Sequence, residues 1–356
     1  MSRPQPRDSI ALMEGYHSPQ IDVDVRLNTN ESPELPPRGF VEEVAAAVSE
    51  IEWHRYPRRS ATELRTAIGK LHGVGHEQVF AANGSNEVLQ TLLLTYGGPG
   101  RSAAIFEPTY ALHSHLSRIT GTNVVEGERT ADFFLDMDEV ERVITGSRPA
   151  VTFLCSPNNP TGVVDTEAQI RRVLELVSDG GGILCVDEAY GQFADFSAIE
   201  LIGPEVPLVV SRTYSKTWAM AAARLGYVVA PEWLIAELEK VVLPYHLDAM
   251  TQIAGTLALR HIDAMNERVA RLVEERGRLM AELANLPVDV WPSSSNFVLF
   301  RPRELDGGDV WQDLVDRSIL VRNCASWPRL EGCLRVTIGT PEEDDRFLAA
   351  LMEVLA

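Results

Sequence analysis

The sequence predicts an α/β protein: a mostly parallel seven-stranded sheet with helices on both faces, joined to a small α+β domain. Three observations predict it. Between residues 79 and 230, seven short aliphatic runs alternate with helical stretches, the pattern of parallel strands joined by helical crossovers. A long helical region over 249–286 then leads the chain away from that alternation. Beyond it, strand-like pieces mix with helices to the end of the chain. At 356 residues the chain can bury two substantial cores.

Residues 1–39 are polar and rich in proline, which predicts an arm with little regular structure. Val41, Val44, Ala45, Val48 and Ile51 recur at helical spacing over 40–51. The stretch WHRYP at 53–57 interrupts, and a second helix covers 61–71. The aliphatic runs at 79–82, 103–106, 123–125, 151–154, 183–186, 208–210 and 226–230 are the seven strands. Residues 232–243 are helical and Pro244 stops them. The 249–286 region reads as helix, with room for an interruption near Asp263. The tail reads as strands at 288–291, 296–300, 320–322 and 334–338, with a closing helix at 341–355. The expected division is the arm over 1–39, a large domain over 40–260 and a small domain over 261–356.

Apolar residues at 45% and charged residues at 23% are ordinary for a soluble enzyme. A net charge of −19 argues against sequence-independent binding of nucleic acid. It also makes any basic pocket stand out, and an anionic ligand needs one. MSRPQPRDSI lacks the apolar stretch of a secretion signal, and no apolar run approaches membrane-spanning length. Cys155, Cys185, Cys324 and Cys333 form no C-x-x-C pair and read as small core residues in a reducing compartment. No H-E-x-x-H motif occurs among the eight histidines, and no metal site is expected. The expectation is a cytoplasmic protein without membrane or nucleic-acid partners.

The chemistry gathers at three strand ends. Lys216 follows the run at 208–210, flanked by Thr213, Ser215 and Thr217, with Arg224 eight positions on. A lone lysine at such a place is more often a snorkelling surface residue. Asp187-Glu188-Ala189-Tyr190 ends the run at 183–186, and Ser156-Pro157-Asn158-Asn159-Pro160-Thr161-Gly162 ends the run at 151–154. Taken singly, the first reads as a cap after a strand and the second as a turn. Doubly wound sheets, however, bind ligands at the carboxyl ends of their strands. A lysine, an aspartate and an asparagine gathered there suit pyridoxal phosphate. The lysine amine bonds the aldehyde, and the aspartate keeps the ring nitrogen protonated. The asparagine and a tyrosine can hydrogen-bond the ring's phenolate oxygen.

SPNNPTG, DEAY and SK followed by Arg224 occur in that order, between LNTNESP at 27–33 and LRVTIGT at 334–340. With these motifs the chain resembles the fold-type I pyridoxal-phosphate aminotransferases of class I/II, and within them the histidinol-phosphate aminotransferase branch. The resemblance runs nearly end to end. It implies Lys216 as covalent anchor and proton carrier, Asp187 at the ring nitrogen, and Asn159 and Tyr190 at the ring oxygen. Gly84, Ser85 and Asn86 open a helix whose backbone N–H groups offer an anion site. Thr213, Ser215 and the planar fork of Arg224 would complete it around the cofactor phosphate. Asn86 stands where the family usually has an aspartate. Tyr110 matches the aromatic that packs on the pyridine ring. Tyr56 matches a tyrosine that reaches the neighbouring subunit's cofactor phosphate, which implies a homodimer.

Arg335 matches the arginine that binds the substrate carboxylate across the class. In the histidinol-phosphate branch a phosphate takes that place, and the resemblance adds Arg322 and Tyr16 around it. A dianion suits two bidentate donors better than one. His246 stands where asparagine is frequent, and Trp218 where a smaller or aliphatic residue is usual; both are expected to reshape the pocket. The implied reaction passes an amino group between histidinol phosphate and 2-oxoglutarate, forming glutamate, in histidine biosynthesis. An aromatic amino acid aminotransferase is the first alternative; it needs only Arg335 and an apolar slot. A decarboxylase of a phosphorylated amino acid is the second, and it needs the same cofactor and arginines. A cofactor-binding regulatory domain is the third, and no basic or helix-turn-helix segment accompanies it.

Overall fold

The computed structural model describes residues 3–11, 13, 15 and 19–356. The first strand, β1 (Val25–Leu27), lies in the arm. The seven aliphatic runs follow as β2 (Val79–Ala82), β3 (Ser102–Glu107), β4 (Asn123–Glu128), β5 (Val151–Cys155), β6 (Ile183–Asp187), β7 (Leu208–Thr213) and β8 (Gly226–Val229). They form one sheet in the order β2-β8-β7-β6-β5-β3-β4. Neighbours from β4 through β7 are parallel, while β8 runs antiparallel to both β2 and β7.

Every residue of β5, β6 and β7 is buried, as expected where helices cover both faces of a parallel sheet. Successive residues face opposite ways along a strand. Ile105, Phe153 and Cys185 accordingly join the core that contains Leu89, Leu92 and Leu234. Their neighbours Phe106, Leu154 and Val186 join the core that contains Val140, Ile170 and Val173. Helix Gly84–Tyr96 packs so closely on β8 that a Cβ on Gly226 would lie 2.2 Å from the Ser85 amide nitrogen. Only glycine permits that approach.

The 249–286 region breaks where a break was expected: helix Ala249–Ala258, a tight turn over Leu259–His261, then helix Ile262–Leu283. The tail supplies β9 (Val288–Val290), β10 (Phe297–Pro302), β11 (Ile319–Asn323) and β12 (Leu334–Thr337). These strands and β1 form a second sheet, β1-β11-β12-β10-β9. Helix Gly307–Asp316, capped by Asp306, is an addition the sequence reading did not place. Its two leading glycines weaken the helical signal. The closing helix Pro341–Leu355 starts on a Thr340/Glu343 capping box with proline in its first turn.

The arm departs from the expectation of little regular structure. β1 runs parallel to β11 at the edge of the second sheet, with Val25 and Leu27 buried and Arg26 outward. Three residues are too short to show a period in the sequence, and the strand is made by its partner. The four cysteines are buried and unpaired. No helix among the described residues is long and apolar enough to cross a membrane.

Candidate active site

β5, β6 and β7 end side by side, with Cys155 opposite Asp187 and Asp187 opposite Ser211. The loops leaving them carry Asn159, Tyr190 and Lys216. A cavity of about 430 Å³ lies over these ends. Lys216, Asp187, Tyr190, Asn159, Thr213, Ser215 and Arg224 line it from the strand ends, Ser85, Asn86 and Tyr110 from one side, and Arg322 and Arg335 from the second sheet.

Lys216 is partly exposed to the cavity, but protein surrounds its amine. Nζ donates to the Thr29 carbonyl at 3.0 Å. Burial, then the positive charge of Arg335, lowers its pKa from 10.5 to about 7. A lysine in that state is a nucleophile and base near neutral pH.

Asp187 is 1% exposed. Its Oδ1 accepts from the Ser211 hydroxyl at 2.9 Å and from the Ala189 amide at 3.2 Å, and its Oδ2 lies 3.1 Å from His113 Nε2. His113 is fully buried, stacked on Phe153 at 4.7 Å, and has no hydrogen-bond partner for Nδ1 among the described residues. The sequence reading missed His113. Nothing in its local sequence separates it from any other helix residue; only the fold brings it to Asp187. Glu188 serves a different end: it takes the buried Arg212 guanidinium at 2.6 Å behind the sheet.

The two asparagines of SPNNPTG divide their work. Asn158 is wholly buried and ties the loop together through Thr109, Pro108 and Thr161. Asn159 lines the cavity and accepts a hydrogen bond from Arg335 through Oδ1, which leaves its amide N–H groups for a ligand. The Tyr190 hydroxyl accepts from Asn30 Nδ2 at 2.8 Å, and burial raises its pKa above the usual range.

The anion cup is built at the start of helix Gly84–Tyr96, where the Asn83 side chain does not cap the N-terminus and Glu87 takes only the Asn83 amide. Uncapped N–H groups and the helix dipole favour an anion there. Gly84 has φ +78°, and a Cβ on it would sit 2.7 Å from Arg224 Nη2. Gly84 therefore shapes the cup from just behind its lining. Arg224 donates to the Ser215 hydroxyl at 3.2 Å, and Thr213 donates to the same hydroxyl at 3.0 Å. Tyr110 donates to Asn86 Oδ1 at 3.3 Å. An amide oxygen fills that acceptor role as a carboxylate oxygen would.

Arg322 and Arg335 are directly opposite one another on β11 and β12. Both are nearly buried. Arg322 lies 5.0 Å over Trp327 and Arg335 5.0 Å over Phe297, which offsets part of the cost of burying cations. Arg335 Nη2 donates to the Asn28 carbonyl at 2.9 Å, and its Nε has no partner among the described residues. Like charges facing each other across a ladder destabilise it, and an anion between them would relieve that repulsion.

Other expected site residues lie elsewhere. Tyr56 is 80% exposed and stacks on Tyr245 at 4.6 Å, outside its own chain's cavity. Tyr16 lies outside the described residues. His246 and Trp218 do not line the cavity, so the expected reshaping of the pocket is corrected. His246 lies behind β2, bonded to the Ala81 carbonyl and stacked on Phe80. Trp218 is buried against Tyr214. In their place the segment Asn28, Thr29, Asn30 and Glu31 forms part of the lining. The motif LNTNESP flagged that segment without giving it a role.

The residues present fit a phosphorylated pyridine aldehyde: an anion cup at one end, a buried carboxylate at the other, and a neutral-prone amine between them. The chain belongs to the family described as aminotransferase class I and II, whose model matches residues 22–351. Within that class, it is 43% identical over 358 residues to the histidinol-phosphate aminotransferase of Corynebacterium diphtheriae, covering 98% of this chain and 96% of the relative. It is 44% identical over 358 residues to that of Mycolicibacterium smegmatis, covering 98% and 93%. The crystal structure of histidinol-phosphate aminotransferase from Sinorhizobium meliloti in complex with pyridoxal-5′-phosphate superposes with a TM-score of 0.85. It shares 20% identity and covers 94% of this chain and 91% of that one.

Proposed function

We propose that the chain is a pyridoxal-phosphate-dependent aminotransferase that passes the amino group of histidinol phosphate to 2-oxoglutarate, forming glutamate, in histidine biosynthesis. The observation that carries the substrate is the buried cross-strand pair Arg322 and Arg335. Two guanidinium forks match a phosphate dianion, and a single carboxylate cannot satisfy both.

When bound, pyridoxal phosphate supplies an aldehyde carbon that bonds an amine and a protonated ring that draws electrons from the substrate carbon. The N-terminus of helix Gly84–Tyr96, with Thr213, Ser215 and Arg224, holds its phosphate. Asp187 holds the ring nitrogen; its own position is fixed by Ser211, the Ala189 amide and His113. Asn159 and Tyr190 would donate to the ring oxygen, and Tyr110 would pack on the ring. Lys216 would hold the aldehyde carbon. Its free Nζ would take the proton from the substrate carbon and return it during the transfer. Arg335 also receives the carboxylate of glutamate.

The test is product analysis. Histidinol phosphate should be consumed only when 2-oxoglutarate is present, with glutamate formed in equal amount. Turnover of a phosphorylated amino acid without 2-oxoglutarate, with release of carbon dioxide, would move the assignment to the decarboxylase.

The same reading makes the enzyme a cytoplasmic homodimer with Tyr56 acting across the two-fold axis. Tyr56, Trp53 and Leu243 are 80%, 68% and 74% exposed on the single chain, and large apolar exposure of this kind suits a covered surface. Mixing Lys216→Ala chains with Tyr56→Phe chains should restore activity beyond that of either alone, because one site of each hybrid regains both residues. An active monomer in a sizing experiment would rule out the shared site.

A further inference from the structure

We propose that Asn30 is a positioning residue for the reaction, fixing the direction in which the Tyr190 hydroxyl donates its proton. The proposal rests on the reading of Tyr190 as a partner of the cofactor's ring oxygen.

Asn30 is 1% exposed and has φ +56°. That left-handed conformation is costly for most residues and is tolerated best by Gly, Asn and Asp. All of its polar groups are engaged. Its backbone N–H donates to Thr337 Oγ1 at 3.0 Å, and its carbonyl accepts from Asn296 Nδ2 at 3.2 Å. Its Oδ1 accepts from Thr337 Oγ1 at 3.1 Å, and its Nδ2 donates to the Tyr190 oxygen at 2.8 Å. An asparagine in that conformation held from every side is over-determined, and such residues concentrate at functional sites.

The contact with Tyr190 has a direction. Asn30 Nδ2 can only donate, so the phenol oxygen accepts through one lone pair. The hydroxyl proton must then rotate away from Asn30, toward the cavity that Tyr190 lines. The neighbours of Asn30 hold two further site side chains. The Asn28 carbonyl takes Arg335 and the Thr29 carbonyl takes Lys216. Three consecutive residues thus fix the substrate arginine, the reactive amine and the phenol, and Thr337 ties Asn30 to the strand of Arg335.

A merely structural turn would accept any residue that keeps the backbone. Asn30→Gly keeps the left-handed conformation and removes the donor. Asn30→Asp also keeps the acceptor for Thr337, but its carboxylate would accept from the phenol and turn the hydroxyl proton away from the cavity. The readout is the midpoint pH of the visible absorbance change of the cofactor-loaded protein. Donation to the ring oxygen stabilises its ionised form and lowers that midpoint. Both variants should therefore raise it, by about 0.4 to 1 pH unit, the value of one ordinary hydrogen bond. The charged and titratable groups around Tyr190 are Arg335, Lys216, Asp187 and Cys155. All stay in place in Asn30→Gly, so its shift reports the hydroxyl; Asn30→Asp adds a negative charge that raises the midpoint as well.

Tyr190→Phe sets the upper limit of the shift, and Asn30→Gly added to Tyr190→Phe should shift nothing more. Unshifted midpoints in both Asn30 variants, beside a shifted Tyr190→Phe, overturn the positioning role alone. An unshifted Tyr190→Phe overturns the reading of Tyr190 and the proposal with it. A shift from Asn30→Gly that persists in the Tyr190→Phe background also overturns it, because the effect would not pass through the phenol.

Discussion

Lys216→Ala should lose transamination by at least about 10²- to 10⁴-fold, the range for removing a positioned general base; loss of the covalent anchor adds to it. The chain holds two other lysines, Lys70 and Lys240. Borohydride treatment of the loaded protein should fix the cofactor to Lys216, and a label on either of the others would sink the reading. The lowered pKa gives this prediction a pH signature. Only the neutral amine attacks, and with a pKa of about 7 about half of it is neutral at neutral pH. The rate of cofactor uptake by cofactor-free protein should rise with pH through about 7 and level off above. An ordinary lysine would still be gaining rate past pH 9. The stability of the cofactor-free protein should move the same way. Below about 7 the amine is charged in both folded and unfolded chains and its burial penalty is complete. Between about 7 and 10.5 the unfolded chain binds more protons, so stability rises with pH across that window.

Arg322→Ala should cost about 2–5 kcal/mol with histidinol phosphate, the range for truncating one partner of a desolvated charge pair. That is roughly 30- to 4,000-fold in kcat/KM. With phenylalanine the loss should be small, since Arg335 alone can hold a carboxylate. Arg335→Ala should damage both substrates and 2-oxoglutarate too, because it also frees Asn159 and the Asn28 carbonyl. Histidinol without its phosphate should bind poorly to the intact protein, because it forfeits the charge-assisted bonds that both guanidinium groups would make to the phosphate. The deciding comparison is kcat/KM for histidinol phosphate and phenylalanine in wild type and Arg322→Ala. If phenylalanine is preferred by both proteins, the aromatic aminotransferase takes the place of the proposed activity.

The large sheet is legible in the sequence alone. Strands buried on both faces are continuous aliphatic runs, and a strict alternation of such runs with helices admits little but a parallel, doubly wound arrangement. The sheet rule that places ligands at strand ends brings Asn159, Asp187 and Lys216 to one locus. What the sequence could not decide were relations between elements far apart in the chain. Asn158 and Asn159 are the same residue type in the same turn; the resemblance singles out Asn159, and the physical reason, that Asn158 is buried in the loop's own hydrogen bonds while Asn159 meets Arg335 at the cavity, exists only in the folded chain. Arg322 and Arg335 become a pair only through the register of β11 on β12. His113 meets Asp187 across 74 residues and Asn30 meets Tyr190 across 160. The three residues of β1 become a strand only when β11 supplies their hydrogen bonds. Local pattern reports which face of an element is buried; which polar groups meet there is set by long-range packing, and that exists only in the folded chain.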